Sequence, residues 1–134
     1  MIITAAIHKG GAGKTTMLRS LISVAWHRKT HKIVIIDADE RLNMTRWVGM
    51  VKETGYFDDS VKLITTNDPD ELVDQAEEWN DEKTIVFIDT QGTTNRLLTA
   101  ALYSSDLVLV PLSWAADEVN AAVQIVHNYF PQAV

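Results

Sequence analysis

Apolar residues recur along this chain in two alternating rhythms. Continuous apolar runs at Ile2 to Ile7, Ile33 to Ile36, Val61 to Thr65, Ile85 to Ile88 and Leu107 to Val110 read as strands. Ile33-Val34-Ile35-Ile36 and Ile85-Val86-Phe87-Ile88 show no polar alternation, as expected of strands buried on both faces. Helical patterns lie between them. Lys14 to Arg28 places Leu18, Leu21, Ile22, Ala25 and Trp26 at helical spacing. Arg41 to Val51 reads as a helix or long turn, loosened by Gly49 and Gly55. Asp68 can cap the next helix, Pro69 suits its first position and Glu71 completes a capping-box pattern, with Leu72, Val73, Ala76 and Trp79 as the apolar face. Thr94 to Tyr103 is a further helix, and Ala115 to Phe130 a last one stopped by Pro131. Strand and helix alternate five times, which predicts an α/β fold: a mostly parallel sheet with helices on both faces, three layers in one domain over residues 1–134. No internal repeat, low-complexity tract or linker interrupts it.

Composition narrows the chemistry. Hydrophobic residues make up 46% and charged residues 22%, ordinary values for a globular chain. No apolar run approaches the ~20 residues of a bilayer span, and the first seven residues have no basic segment of the kind that opens a signal peptide. The absence of cysteine excludes disulfides, iron–sulfur clusters, thiolate zinc sites and cysteine nucleophiles, and the four histidines make no metal-binding spacing. The cytoplasm is the default compartment. The net charge of −6 is uneven: residues 1–67 carry ten Lys/Arg and six Asp/Glu, residues 68–134 two and twelve. The acidic stretch Asp68 to Glu82 reads as a solvated helix face, and the basic run His27 to Lys32 as cations at a helix C-terminus.

Lys9-Gly10-Gly11-Ala12-Gly13-Lys14-Thr15-Thr16 carries the strongest chemical signal. It contains G-x-x-G-K-T between a strand and a helix, the setting a phosphate loop requires. The small residues Gly10, Gly11, Ala12 and Gly13 let backbone N–H groups wrap phosphate oxygens, and the helix points its N-terminus at the same anions. Lys14 can reach the β- and γ-phosphates of ATP or the β-phosphate of ADP, the Thr15 hydroxyl can ligate Mg²⁺, and Thr16 can bond a nearer phosphate. Two acidic strand ends complete the set. Asp89 follows Ile85 to Ile88, where a carboxylate can face the Mg²⁺ shell, and Asp37-Ala38-Asp39 follows Ile33 to Ile36.

The loop departs from the common G-x-x-x-x-G-K-[ST] form: His8 stands where the first glycine would fall, and Lys9 follows. This spelling resembles the deviant Walker A motif of the ParA/MinD superfamily of ATPases. The resemblance implies a phosphate-loop NTPase fold in which Lys9 reaches across a nucleotide-sandwich dimer to the partner's phosphates. It implies that the Gly92 N–H of Asp89-Thr90-Gln91-Gly92 senses the γ-phosphate. It also implies that Asp37 and Asp39 are the switch pair, Asp39 positioning or deprotonating the attacking water with Asp37 in support, or the reverse. Glu40-Arg41 replaces the family's usual Pro-Gln, so this turn departs from the pattern. Thr45-Arg46-Trp47 resembles a run in the small ParF-type partition ATPases and the VirC-type ATPase of T-DNA transfer, with Asp-Ala-Asp-Glu leaning toward the latter. Trp47 itself reads as core packing. Ser104-Ser105-Asp106 before Leu107 to Pro111 fits a further strand of the family.

The resemblance implies Mg-ATP-driven dimerisation and slow hydrolysis in partition or positioning of plasmid, chromosomal or transfer DNA. It implies a small DNA-binding partner, ParB-like or an adaptor. Family members run on for further strands, adenine contacts and a basic DNA-binding helix, so this chain reads as an N-terminal portion or a shortened relative. It begins at the first strand, without the DNA-binding extension of larger ParA proteins, and nonspecific DNA binding is expected to be weak. No membrane-binding amphipathic helix is evident. The rival readings are an ATP-dependent ligase or synthetase on the same scaffold and a nucleotide-binding module without catalysis.

Overall fold

A computed structural model describes residues 1–6, 13–91, 95–112 and 115–130. Ten elements alternate: β1 (Ile2–Ala5), α1 (Lys14–Arg28), β2 (Lys32–Ala38), α2 (Asn43–Glu53), β3 (Val61–Thr65), α3 (Pro69–Glu78), β4 (Thr84–Thr90), α4 (Arg96–Ser104), β5 (Leu107–Leu109) and α5 (Ala116–Tyr129). The strands form one parallel sheet in the order β3-β2-β4-β1-β5. The α/β expectation holds, with β4 inserted between β1 and β2.

The two-residue period of the strands divides the core. Ile33, Ile35 and Phe87 point to the face covered by Leu18 and Ile22 of α1 and Met44 and Val48 of α2. Val34, Ile36, Val86 and Ile88 point to the opposite face, under Leu72 and Ala76 of α3 and Ala101 of α4. α5 closes a smaller cluster through Ile125 with Leu98 and Leu102. The first face contains an aromatic knot that periodicity does not reveal. Phe57, 2% exposed, lies between α2 and β3 and meets Trp26 and Trp47 edge-on at centroid distances of 5.6 and 5.4 Å. Trp47 is thus core packing, as its sequence reading holds.

Several local expectations shift. β2 and β4 run past their apolar stretches to Ala38 and Thr90, because each supplies the other's ladder partners. α1 turns Leu21 outward and packs Met17 against the core. α2 starts at Asn43, not Arg41, since Leu42 is left-handed (φ 51°) and its N–H donates back to the Asp39 carbonyl. At α3, Asp68 Oδ1 caps Asp70 and Glu71 N–H, but Glu71 does not reach back to the cap directly. The Thr66 hydroxyl stands between them, accepting from Asp68 N–H and donating to Glu71. Asn95 caps α4 by accepting from Leu98 N–H at 2.8 Å, so the helix begins at Arg96. Before β5, Asp106 Oδ2 accepts Ile2 N–H at 2.7 Å and the Ser105 and Thr4 hydroxyls lie 2.6 Å apart, so the Ser-Ser-Asp run anchors β5 to β1.

Phe57→Ala should cost about 3–5 kcal/mol of unfolding free energy, the scale for truncating a buried aromatic, measured by urea denaturation with a fluorescence readout. A loss comparable to a surface substitution would show that the aromatic knot does not carry this face.

Candidate functional site

The sheet order brings the acidic strand ends together. Ala5 of β1, Asp89 of β4 and Asp37 of β2 are register partners at one level of three adjacent strands. This is the carboxyl edge, where the chain passes from β1 toward α1 and where open α/β sheets take their ligands. Asp37 and Asp89 share strand parity with Ile35 and Phe87, on the α1–α2 face. Each is 1% exposed.

α1 starts directly over this pair. Gly13 is its N-cap in a left-handed conformation (φ 86°), which L side chains rarely adopt, and no side chain caps the helix. No acidic residue lies in the first turn, so the helix's positive end is left for an anion. Lys14 is buried, and burial lowers its pKa; Asp89 and Asp39 act the other way, and Arg41 adds to the lowering. The Thr15 hydroxyl donates to Asp89 Oδ2 at 2.9 Å. Thr16 is exposed, and its carbonyl accepts the Ser20 hydroxyl.

Asp89 is pushed up to about 6 from the usual 3.8, first by burial. The Thr15 hydrogen bond opposes this, the negative charges of Asp37 and Asp39 add to it, and Lys14 lowers it. Its second oxygen, Oδ1, is buried and has no hydrogen-bond partner among the described residues. A buried carboxylate oxygen left unpaired is costly, and such atoms mark places completed by an ion or ligand. Thr15 and Asp89 therefore fit a divalent cation. Among the described residues no three acidic or histidine side chains are grouped to hold a metal by themselves. That suits Mg²⁺, which binds one or two protein oxygens together with substrate phosphates.

Asp37 and Asp39 have different surroundings. Asp37 accepts three hydrogen bonds: Thr45 N–H and the Thr45 hydroxyl at Oδ2, both at 2.7 Å, and Asp39 N–H at Oδ1, 3.2 Å. It sits inside β2 rather than beyond its end. Asp39 lies past the strand, is 9% exposed, and accepts Arg41 N–H at 2.9 Å. A cavity of about 350 Å³ opens beside it, lined by Asp39, Glu40, Leu42, Thr65, Thr66 and Asn67. A depression of about 470 Å³ around Lys29, Lys32 and Lys83 lies at the opposite sheet edge, away from these carboxylates.

Gly13, Lys14, Thr15, Asp37, Asp39 and Asp89 are thus gathered at one edge, with Thr16 on the same helix turn. Lys9, Gly10, Gly11, Ala12 and Gly92 lie outside the described residues. Sequence reasoning missed Thr45 as the partner of Asp37. Nothing in the sequence pairs the two, because the bond runs from a strand interior to the first turn of α2, eight residues on.

Known proteins resemble this chain in sequence and in fold. The protein ParA of Rhizobium radiobacter is 23% identical over 123 residues, covering 92% of this chain and 53% of its own length. The chain spans about half the length of the curated relatives it matches. A plasmid partition protein from Borrelia burgdorferi has the same fold, with a TM-score of 0.73 at 20% identity, over 99% of this chain and 74% of that one. The septum site-determining protein MinD of Pyrococcus horikoshii, complexed with Mg-ADP, matches with a TM-score of 0.70 at 19% identity, over 93% of this chain and 63% of that one. The fold is that of the ParA/MinD phosphate-loop proteins, as the deviant loop implied. The VirC1 protein family profile matches residues 1–129, and the chain belongs to that family.

Proposed function

We propose that this chain is the nucleotide-binding part of a ParA-type ATPase acting in the cytoplasm. It binds Mg-ATP, pairs with a second copy across the bound nucleotide, and hydrolyses ATP slowly to release that pairing. Its task is partition or transfer of DNA together with a small DNA-binding partner. The observation that carries the reading is the Asp89 carboxylate: buried at a strand end, held on one oxygen by Thr15 and unpaired on the other, under the open N-terminus of α1. Support also comes from the MinD neighbour, which holds Mg-ADP.

The residues divide the work. Backbone N–H groups of Gly10, Gly11, Ala12 and Gly13 enclose the phosphates, and Lys14 donates to the β- and γ-oxygens. Thr16 bonds a nearer phosphate. Thr15 and Asp89 hold Mg²⁺, which when bound offsets phosphate charge and orients the γ-phosphoryl group. Asp39 orients the attacking water and takes up its proton. It is better placed for this than Asp37, whose carboxylate is engaged by Thr45 and the Asp39 N–H. Lys9 contributes its charge across the paired nucleotides, and the Gly92 N–H registers the γ-phosphate. The acidic second half favours weak DNA contact by this part of the protein. Among the described residues no helix is long and apolar enough to cross a membrane.

Lys14→Ala should weaken Mg-ATP binding by about 100-fold or more, the scale of truncating a buried charge-assisted contact. Titration calorimetry reads this directly, and equal affinity in variant and parent would contradict the reading. The raised pKa of Asp89 has its own signature. The folded chain holds that proton more tightly than the unfolded one, so its contribution to ligand-free stability is greatest below pH 4 and falls as the pH rises to about 6. Above pH 6 the ionised group costs on the order of 3 kcal/mol. Asp89→Asn should therefore melt above the parent at pH 7.5 without ligand, with the gap closing toward pH 4. A gap independent of pH would show that Asp89 does not carry this penalty.

A further inference from the structure

α2 begins without a cap of its own. Its N-cap residue is Leu42, whose side chain offers no acceptor, and its first turn holds no acidic residue. Exposed first-turn N–H groups of a helix need outside partners. Here the partner is eight residues upstream and inside the sheet: Asp37 Oδ2 accepts both the N–H and the hydroxyl of Thr45, each at 2.7 Å. The other Asp37 oxygen accepts Asp39 N–H, and the Asp37 carbonyl accepts Thr66 N–H at 3.2 Å. One buried residue therefore ties three things together: through its carboxylate the start of α2 and the turn that carries Asp39, and through its main-chain carbonyl the end of β3.

The same carboxylate neighbours the cation position. Asp37 and Asp89 are register partners on adjacent strands, about 4.8 Å apart by sheet geometry. Both carboxylates are buried and interact electrostatically, so charge placed beside Asp89 acts on Asp37 as well. Any adjustment of Asp37 is passed to α2 through two short hydrogen bonds. α2 is in turn fastened to α1, where Arg19 donates to the Asn43 carbonyl at 2.6 Å and its guanidinium lies 5.6 Å from the Trp47 ring centre.

We propose that Thr45 is a positioning residue of the nucleotide site. It holds Asp37 in the orientation that shapes the Asp39 turn, and it makes the first turn of α2 the element that responds when Mg-nucleotide is bound. The proposal rests on the nucleotide reading above, and its test separates the two. Amide hydrogen exchange of the intact chain is followed by mass spectrometry with and without Mg-ADP. In the parent, residues 13–17 become protected, and exchange at residues 43–48 changes by about threefold or more, as for a cooperatively linked segment. Thr45→Val, which keeps the shape and the N–H but removes the hydroxyl, keeps the response at 13–17 and loses the one at 43–48. Thr45→Ser restores it. A parent that responds at 13–17 with 43–48 unchanged overturns the coupling, and this comparison needs no variant to fold. A Thr45→Val protein with faster exchange at 43–48 but an intact ligand response also overturns it, because Thr45 would then be a helix cap and nothing more. No response at either segment overturns the nucleotide reading and the coupling with it.

Discussion

Two buried carboxylates side by side repel each other, and much of this structure is arranged around that repulsion. Asp37 and Asp89 are register partners at the carboxyl edge of the sheet, each almost fully removed from water. Neither is tolerable alone in a low-dielectric setting. The two are relieved in different ways. Asp37 is surrounded by donors from its own loop and from α2. For Asp89, burial and the neighbouring carboxylates outweigh one hydroxyl and the nearby charge of Lys14, so it is reluctant to ionise, and among the described residues one of its oxygens has no partner. That difference separates a structural carboxylate from one suited to a cation.

The surrounding elements follow from this pair. β4 must enter the sheet between β1 and β2 to set Asp89 beside both Ala5 and Asp37. α1 must start at a left-handed glycine, so that Lys14 and Thr15 come down over the carboxylates, with no side-chain cap and no acidic residue in the helix's first turn. α2 forgoes a cap of its own and takes Asp37 instead. The aromatic knot of Trp26, Trp47 and Phe57 then packs α1, α2 and the segment before β3 against the same face.

The parts legible in the sequence were those that act locally. The apolar runs of β2 and β4 and the helical spacing of Leu18 and Ile22 announce buried elements by period alone. The Gly-Lys-Thr run and the aspartates at strand ends are spelled in contiguous residues, and the fold brings them to one sheet edge. What could not be read depends on how the elements come together. Phe57 has no periodic neighbours, and its burial depends on two tryptophans from different helices. The Thr66 relay between Asp68 and Glu71 replaces a direct capping box, because the end of β3 brings a hydroxyl between them. Helical spacing marked an apolar face on α1 but not its centre, so Leu21 is exposed while Met17 packs inward. The Asp37–Thr45 bond crosses from a strand interior to a helix start, and neither residue type specifies the other as its partner.

The central claim is that Thr15 and Asp89, beneath the α1 N-terminus, form a divalent-cation site completed by nucleotide phosphates. Mn²⁺ is a spectroscopically visible stand-in for Mg²⁺, and electron paramagnetic resonance can count the bound ion as ADP is added. The account predicts weak Mn²⁺ binding by the chain alone, about one ion per chain once ADP is present, as for a cation that needs phosphate ligands, and loss of that ion in Asp89→Asn. Tight Mn²⁺ binding without nucleotide, or unchanged ADP-dependent binding in Asp89→Asn, would contradict it.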